Sequence, residues 1–372
     1  MKVLVLSCST GEGHNSAAKA ICEVLTAVGA EYEFKDPVSF RGEKTPKKIA
    51  TLYNNLIKKT PAAFGMVYKI GDVYDKLLLP SPVYAWNAAY ADKLADYIKS
   101  GGFDAVIATH LYGMLALTAA KKGGNISVPI FGVGTDYTMI PFTRNAMMDE
   151  FFVPHKDLLG FYSERGVEVK TLNPTGIPVS PKVSAAPEKP VAREMLGLPQ
   201  DKKIVLLMSG GVGCESVKPL LKKLHKNDDD GALWVVLVGN NQKLKQTIEK
   251  SISHDKVLPV GFTDKVALYL RAADVVISKA GGLSSTEVAA SRVPLVHFKP
   301  IPGCETCNAE FFAAKGMSVL AKNGKEAIAL AEELLTNEEK RNAMISAQQR
   351  EINPHAAEDI VRRMQEWISD KS

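Results

Sequence analysis

Apolar runs of four to seven residues alternate along this chain with stretches whose apolar residues recur at helical spacing. That alternation leaves few folds open. Lys2-Val3-Leu4-Val5-Leu6 precedes a helical pattern over 16–28, where Ala17, Ala20, Ile21, Val24, Leu25 and Val28 share one face. A run at 105–108 is followed by a helix-like stretch at 114–120 and another run at 128–133. The pattern stops at 173–190, where Pro174, Pro178, Pro181, Pro187 and Pro190 remove donors and restrict their predecessors, so this stretch reads as a linker. It restarts at 203–208 and continues through 234–238, 257–260, 274–278 and 295–298. Strands alternating with helices predict parallel sheets built from right-handed βαβ units. The chain therefore reads as α/β, with one Rossmann-like domain over 1–178, a linker over 179–192 and a second Rossmann-like domain over 193–355. The tail, 356–372, holds an amphipathic helix with Ile360, Val361, Met364, Trp367 and Ile368 on its apolar side. Such a helix needs a surface to cover, on its own domain or back across the linker.

Composition narrows the class. With 372 residues, 46% of them hydrophobic and 23% charged, the chain has the make-up of a globular protein, not of a disordered one. No run of 18 apolar residues predicts a membrane-spanning helix, and the short N-terminal apolar run predicts no signal peptide. Five cysteines, an odd and sparse set, fit reduced thiols better than a disulfide framework. The net charge of +5 is unevenly placed: residues 35–69 hold eight bases and two acids, which leaves −1 for the rest. There Lys47, Lys48, Lys58 and Lys59 are interleaved with Tyr53, Leu56, Ile57 and Phe64, and Leu77-Leu78-Leu79-Pro80 extends the apolar content. The segment is either a solvated helix face with core anchors or a patch for an anionic membrane surface. No nucleic-acid-binding motif accompanies the charge.

Three glycine-rich turns follow strands and open helices: Gly11-Glu12-Gly13-His14-Asn15-Ser16, Ser209-Gly210-Gly211-Val212-Gly213 and Ala280-Gly281-Gly282-Leu283-Ser284. Glycine lets a backbone approach a ligand, and a helix start offers free N–H groups and a positive dipole end to an anion. Gly11, Gly13 and Asn15 thus form one candidate phosphate loop; Gly210 and Gly211 form another, and Gly281, Gly282, Leu283 and Ser284 a third. The first turn nearly fits a dinucleotide fingerprint, with Asp36 placed 20 residues beyond Ser16, but Ser16 replaces the third small residue. No P-loop motif occurs. Glu287, one turn into the third helix, is placed to accept ribose hydroxyls while the preceding amides hold a diphosphate. Glu305 and Asn308, three apart after Pro302-Gly303, can face one cleft and bond hydroxyls. Cys304-Glu305-Thr306-Cys307 is a lone C-x-x-C, too little for a metal site.

Together these motifs resemble the monogalactosyldiacylglycerol synthase and processive diacylglycerol glucosyltransferase family of glycosyltransferase family 28. The likeness runs through Gly11-Glu12-Gly13-His14-Asn15-Ser16-Ala17-Ala18, Gly261-Phe262-Thr263-Asp264-Lys265, 273–282 with Glu287, and Pro302-Gly303-x-Glu305-x-x-Asn308. It implies a GT-B fold, two Rossmann-like domains facing across a cleft. It also implies an inverting UDP-hexose transfer to a lipid, diacylglycerol foremost, at the cytoplasmic face of the membrane, with no metal or other cofactor. By the same resemblance Phe262 lies beside uracil, Gly282, Leu283 and Ser284 hold the diphosphate, Glu287 takes ribose, and Glu305 and Asn308 take the donor sugar. His14 or Asp136 serves as the base. At Ile140 and Thr143 the chain departs from the His and Trp that the diacylglycerol enzymes usually carry, which leaves the acceptor open. N-acetylglucosaminyl transfer to an undecaprenyl-linked lipid, UDP-sugar epimerisation, and nucleotide-sugar binding without turnover all stay open as alternatives.

Overall fold

A computed structural model describes residues 1–9, 11–76, 81–208, 220, 231–251, 253 and 255–370. The chain divides into two compact units. One comprises Met1–Pro181, Pro302–Cys304 and Asn353–Ser372; the other comprises Lys182–Ile301 and Glu305–Ile352.

The first unit is built on β1 (Lys2–Leu6), β2 (Glu31–Lys35), β3 (Ala105–Ala108), β4 (Ile130–Val133), β5 (Glu150–Phe152) and β6 (Leu172–Asn173). They lie in the order β2-β1-β3-β4-β5-β6, and every neighbouring pair is parallel. The central strands are buried along their length, which is why β1, β3 and β4 read as unbroken apolar runs in place of an alternation. Helix Glu12–Ala27 covers one face with Ala17, Ala18, Ile21, Val24 and Leu25. The C-terminal helix Ala356–Ser369 covers the same core: Ile360, Val361 and Met364 are buried with Val3, Val5, Ile107, Phe131 and Phe152. Trp367 meets Phe131 edge-on at 5.9 Å between ring centres. Arg363 grips Glu150, at the start of β5, with Nε at 2.8 Å and Nη2 at 2.5 Å from Oε1. Of the two surfaces open to that amphipathic helix, it takes the one on the first sheet.

The second unit repeats the plan with β7 (Lys203–Met208), β8 (Ala232–Gly239), β9 (Val257–Gly261), β10 (Val275–Ser278), β11 (Leu295–Phe298) and β12 (Val319–Ala321). Their order is β12-β11-β10-β7-β8-β9, again all parallel. Val205, Leu207, Trp234, Val236, Val275, Ile277 and Val296 form its core with Ile328 and Leu334 from helix Gly324–Thr336. The proline-rich stretch is tied to this unit by a buried ion knot. Arg193, in helix Lys189–Leu196, gives Nη2 to Asp274 at 2.7 Å, Nε to the Ala272 carbonyl and Nη1 to those of Gln200 and Lys202. Lys189 and the Ile204 amide also reach Asp274, at 2.7 and 2.8 Å. Burial alone would raise the Asp274 carboxyl, but these donors overcome it and hold the group below its ordinary value.

Removing one member of a buried ion pair leaves a charge without compensation. Arg193→Met is therefore expected to destabilise the second unit by about 3–5 kcal/mol. Urea unfolding followed through buried Trp234 checks this; a loss under about 1 kcal/mol would show that the knot contributes specificity and not stability.

Candidate active site

In an open parallel sheet, ligands bind beyond the carboxyl ends of the strands at the point where strand order reverses. Each unit has one such point. In the first, the chain runs from β1 outward to β2 and then returns to the other side of β1 as β3; in the second, it runs from β7 to β8 and β9 and returns beside β7 as β10. The glycine turns found in the sequence follow β1, β7 and β10. The β7 turn, with Gly210 and Gly211, lies outside the described residues.

At the first reversal, Gly11 precedes helix Glu12–Ala27 with φ +137°, a conformation glycine alone adopts readily. It brings His14 against the end of β3. The His14 Nδ1 lies 3.0 Å from the Thr109 carbonyl oxygen and 2.8 Å from the Thr135 hydroxyl. A carbonyl can only accept, so Nδ1 carries the proton and Nε2 keeps its lone pair. The ring retains some surface, yet burial among protein atoms outweighs the Thr109 bond and lowers its pKa to about 4. His110 meets it edge-on at 4.6 Å and is itself held neutral, by burial first and by His14 second. Asp136, Thr135 and Thr109 line the same small pocket as His14, and so do Ile140 and Thr143, the two departures from the family pattern. Its cavity of about 20 Å³ admits roughly one water.

Gly13 is half-buried beside this histidine. Asn15 plays a structural part, since its Oδ1 accepts from Ser7 Oγ at 2.8 Å and pins the helix to the end of β1. Asp36 reaches the start of this turn, where its Oδ2 accepts the Ser9 amide at 3.4 Å, so the backbone engages the carboxylate that a ribose would need. Its Oδ1 accepts the Val38 amide at 2.9 Å and caps the short helix Pro37–Arg41.

At the second reversal, β10 ends at Ser278, whose buried hydroxyl has no partner among the described residues. Helix Gly282–Ala290 begins four residues on, and its cap residue Gly281 offers no side-chain acceptor. The amides of Gly282, Leu283 and Ser284 therefore form a donor cluster at the helix's positive end. Glu287 is half-buried one turn further, with no hydrogen-bond partner among the described residues, and burial raises its carboxyl to about 7. Phe262, directly after β9, is 77% exposed.

Glu305 and Asn308 depart from the expectation. Both are buried in helix Cys304–Ala314, and their polar atoms are turned to the protein. Glu305 pairs with Lys279 and accepts the Ile301 amide at 2.9 Å; Asn308, with no exposed surface, donates to the Ala280 carbonyl at 3.0 Å. In this structure they brace the third glycine turn. The sequence reading missed His297. Wholly buried on β11, it bonds Ser285 at 2.9 Å and Ser318 at 3.1 Å, fastening helix Gly282–Ala290 to the sheet. Its place inside an apolar strand run was the only signal.

Among the described residues no three His, Cys, Asp or Glu side chains gather as a metal site. None of the described helices is long and apolar enough to cross a membrane. Helices Thr45–Lys59 and Pro61–Lys76 carry the basic segment. Lys47 and Lys48 are exposed and Tyr53 is half-buried; the side chains of Lys58, Lys59 and Phe64, and all of 77–80, lie outside the described residues. Met66, Ile70 and Val73, at i, i+4 and i+7, stand between 56% and 64% exposed, an apolar stripe facing solvent.

Two doubly wound parallel α/β units, each with a glycine turn at its reversal point, have the architecture of the GT-B fold. Solved structures with this fold include Acinetobacter baumannii MurG (15% identity, TM-score 0.60, 98% of this chain and 99% of that one). Staphylococcus aureus MnaA, solved with UDP, is similar at 15% identity and TM-score 0.64, over 99% and 97% of the two chains. Residues 14–179 match the model of the monogalactosyldiacylglycerol (MGDG) synthase family, and residues 188–351 match that of the glycosyl transferases group 1. Curated relatives include a processive diacylglycerol beta-glucosyltransferase of Bacillus cereus, 29% identical over 97% of this chain and 92% of the relative. One from Bacillus anthracis is 28% identical over the same shares.

The histidines make stability fall in acid. His14 and His297 have pKa values below the unfolded value near 6.5, so their contribution is complete above that pH and is lost progressively as pH falls from there to the folded values of about 4 and about 3. For His297, whose pKa burial lowers to about 3, the loss between pH 7 and pH 5 is about 2 kcal/mol. Urea titrations at the two pH values check this, and His297→Gln is expected to flatten the dependence by that amount; an unchanged slope would show that His297 charges without unfolding.

Proposed function

We propose that this enzyme transfers a hexose from a UDP-sugar to a hydroxyl of diacylglycerol, with inversion, while seated peripherally on the cytoplasmic face of an anionic membrane. The observation that carries the donor half is Glu287: a half-buried carboxyl without a partner among the described residues, one turn beyond uncapped amides at a strand-order reversal. A ribose diol would supply the missing donors, and the amides of Gly282, Leu283 and Ser284 would meet the diphosphate charge without an ion. Phe262, exposed beyond the end of β9, offers a face to uracil. One structural neighbour was solved with UDP, and the curated relatives are named for diacylglycerol, which supports both choices.

In the reaction, the acceptor hydroxyl gives its proton to Nε2 of His14, with Asp136 in the same pocket as the second candidate base. The acceptor oxygen attacks the anomeric carbon from the face opposite UDP. The bond to the β-phosphate oxygen breaks, and the helix amides take the charge that develops on the leaving group. An imidazole neutral throughout the physiological range is available as a base at all times. The exposed stripe of Met66, Ile70 and Val73, in the helix that follows the one carrying Lys47 and Lys48, is suited to the interface of an anionic bilayer.

Incubation with a panel of UDP-sugars on vesicles containing diacylglycerol and an anionic lipid, followed by mass spectrometry of the lipid extract, tests the reading. A hexosyl-diacylglycerol is the expected product. A free sugar epimer, a modified polyprenyl lipid, or UDP-sugar recovered unchanged would overturn it in favour of a named alternative. The donor site has its own test. Ribose needs the ionised carboxylate, so UDP affinity should weaken about tenfold from pH 8 to pH 6 as Glu287 protonates near 7. Glu287→Gln should bind UDP less tightly at pH 8 and lose that pH dependence; calorimetry showing wild-type behaviour would remove Glu287 from the site.

A further inference from the structure

The second unit has another pocket, at the amino ends of its strands, opposite the end that carries the glycine turn. Lys203 at the start of β7, Asp274 just before β10 and Pro294 just before β11 form its floor, and the cavity holds about 290 Å³. Its walls carry Lys189, Arg271, Arg292 and Arg341, against the acids Glu188 and Asp274 alone. Those two acids are already engaged, Asp274 with Lys189 and Arg193 and Glu188 with Arg271. Arg341 caps carbonyls of helix Gly324–Thr336 at 3.3 Å. The charged heads of Lys203 and Arg292 have no partner among the described residues. Ser291, 2% exposed and lining the same pocket, has a buried hydroxyl that is likewise unpartnered among them.

Cations at helix C-termini offset the helix dipole, and three helices end near this cavity. That role accounts for Arg341, whose guanidinium meets the carbonyls. It does not account for Arg292, which has φ +57°, a left-handed conformation that helix ends usually give to glycine. Nor does it account for a buried hydroxyl left without a bond. We propose that this pocket is a second ligand site of the enzyme, for a small soluble phosphate ester, distinct from the nucleotide site. Arg292 and Lys203 neutralise the phosphate and the Ser291 hydroxyl donates to one of its oxygens. The cavity is larger than orthophosphate needs and has the size of a small-metabolite pocket. No lining residue belongs to the exposed large apolar side chains of the protein, so a bilayer lipid would find no footing there. The inference stands on this pocket alone and does not depend on the donor reading above.

The probe is glycerol 3-phosphate, titrated calorimetrically into the full chain with and without saturating UDP. Binding is expected in both conditions, weakening as salt is raised. Arg292→Gly removes the guanidinium and also relieves the left-handed strain, so it should weaken binding at least tenfold while the unfolding midpoint holds or rises. Lys203→Gln should weaken it to a similar degree. Binding abolished by UDP, or unchanged in both variants, would overturn the proposal. Vesicles of phosphatidylglycerol form the remaining arm: sedimentation insensitive to Arg292→Gly supports a soluble ligand, and sedimentation lost in that variant overturns it.

Discussion

The reversal of strand order next to β1 and next to β7 is the constraint on which the rest depends. At those points adjacent crossovers leave to opposite sides, so the strand ends open a crevice between them. Parallel strands buried on both faces cannot carry polar chemistry along their length, and it is concentrated at their carboxyl ends. His14, Thr109 and His110 collect at one reversal; Ser278, Gly281, Gly282 and Glu287 collect at the other.

Burial then sets the protonation of these groups in opposite directions. It disfavours charge, so it lowers His14 and His297 and raises Glu287. The consequences differ with the partners. His297 has a hydroxyl on each ring nitrogen and is a structural rivet between strand and helix. His14 has its bonds to Thr109 and Thr135 on Nδ1, which leaves Nε2 basic, while Glu287 has no partner at all among the described residues. The same physical effect therefore leaves one histidine bonded at both ring nitrogens and two other groups with polar atoms open to a ligand.

Much of this was legible in the chain. Apolar runs and helical spacing identified the α/β class and the central strands, but not β2, whose residues are largely exposed, nor the short β5, β6 and β12. Glycine at positions 11, 281 and 282 marked the turns; the φ of +137° at Gly11 requires it, whereas a side-chain carbon at Gly281 would meet only ordinary contacts. Glu305 and Asn308 were harder. Their spacing on a helix placed both on one face, but which face looks toward a ligand and which toward Lys279 and Ala280 is a matter of helix rotation in three dimensions. The exposed stripe of Met66, Ile70 and Val73 was hidden for the same reason, because helical spacing looks alike whether a face meets the core or solvent.

Local sequence thus determined the elements, the turns and the residue types available at each strand end, since those depend on neighbours a few positions away. The meeting of His14 with Thr109 and Thr135, across separations of 95 and 121 residues, was decided only by the packing of the sheet. So was the docking of the C-terminal helix on the first unit, where Arg363 meets Glu150 across 213 residues. Contacts between distant segments form when the sheet closes its order, and burial, which sets the chemistry of every titratable group in the site, exists only once it has.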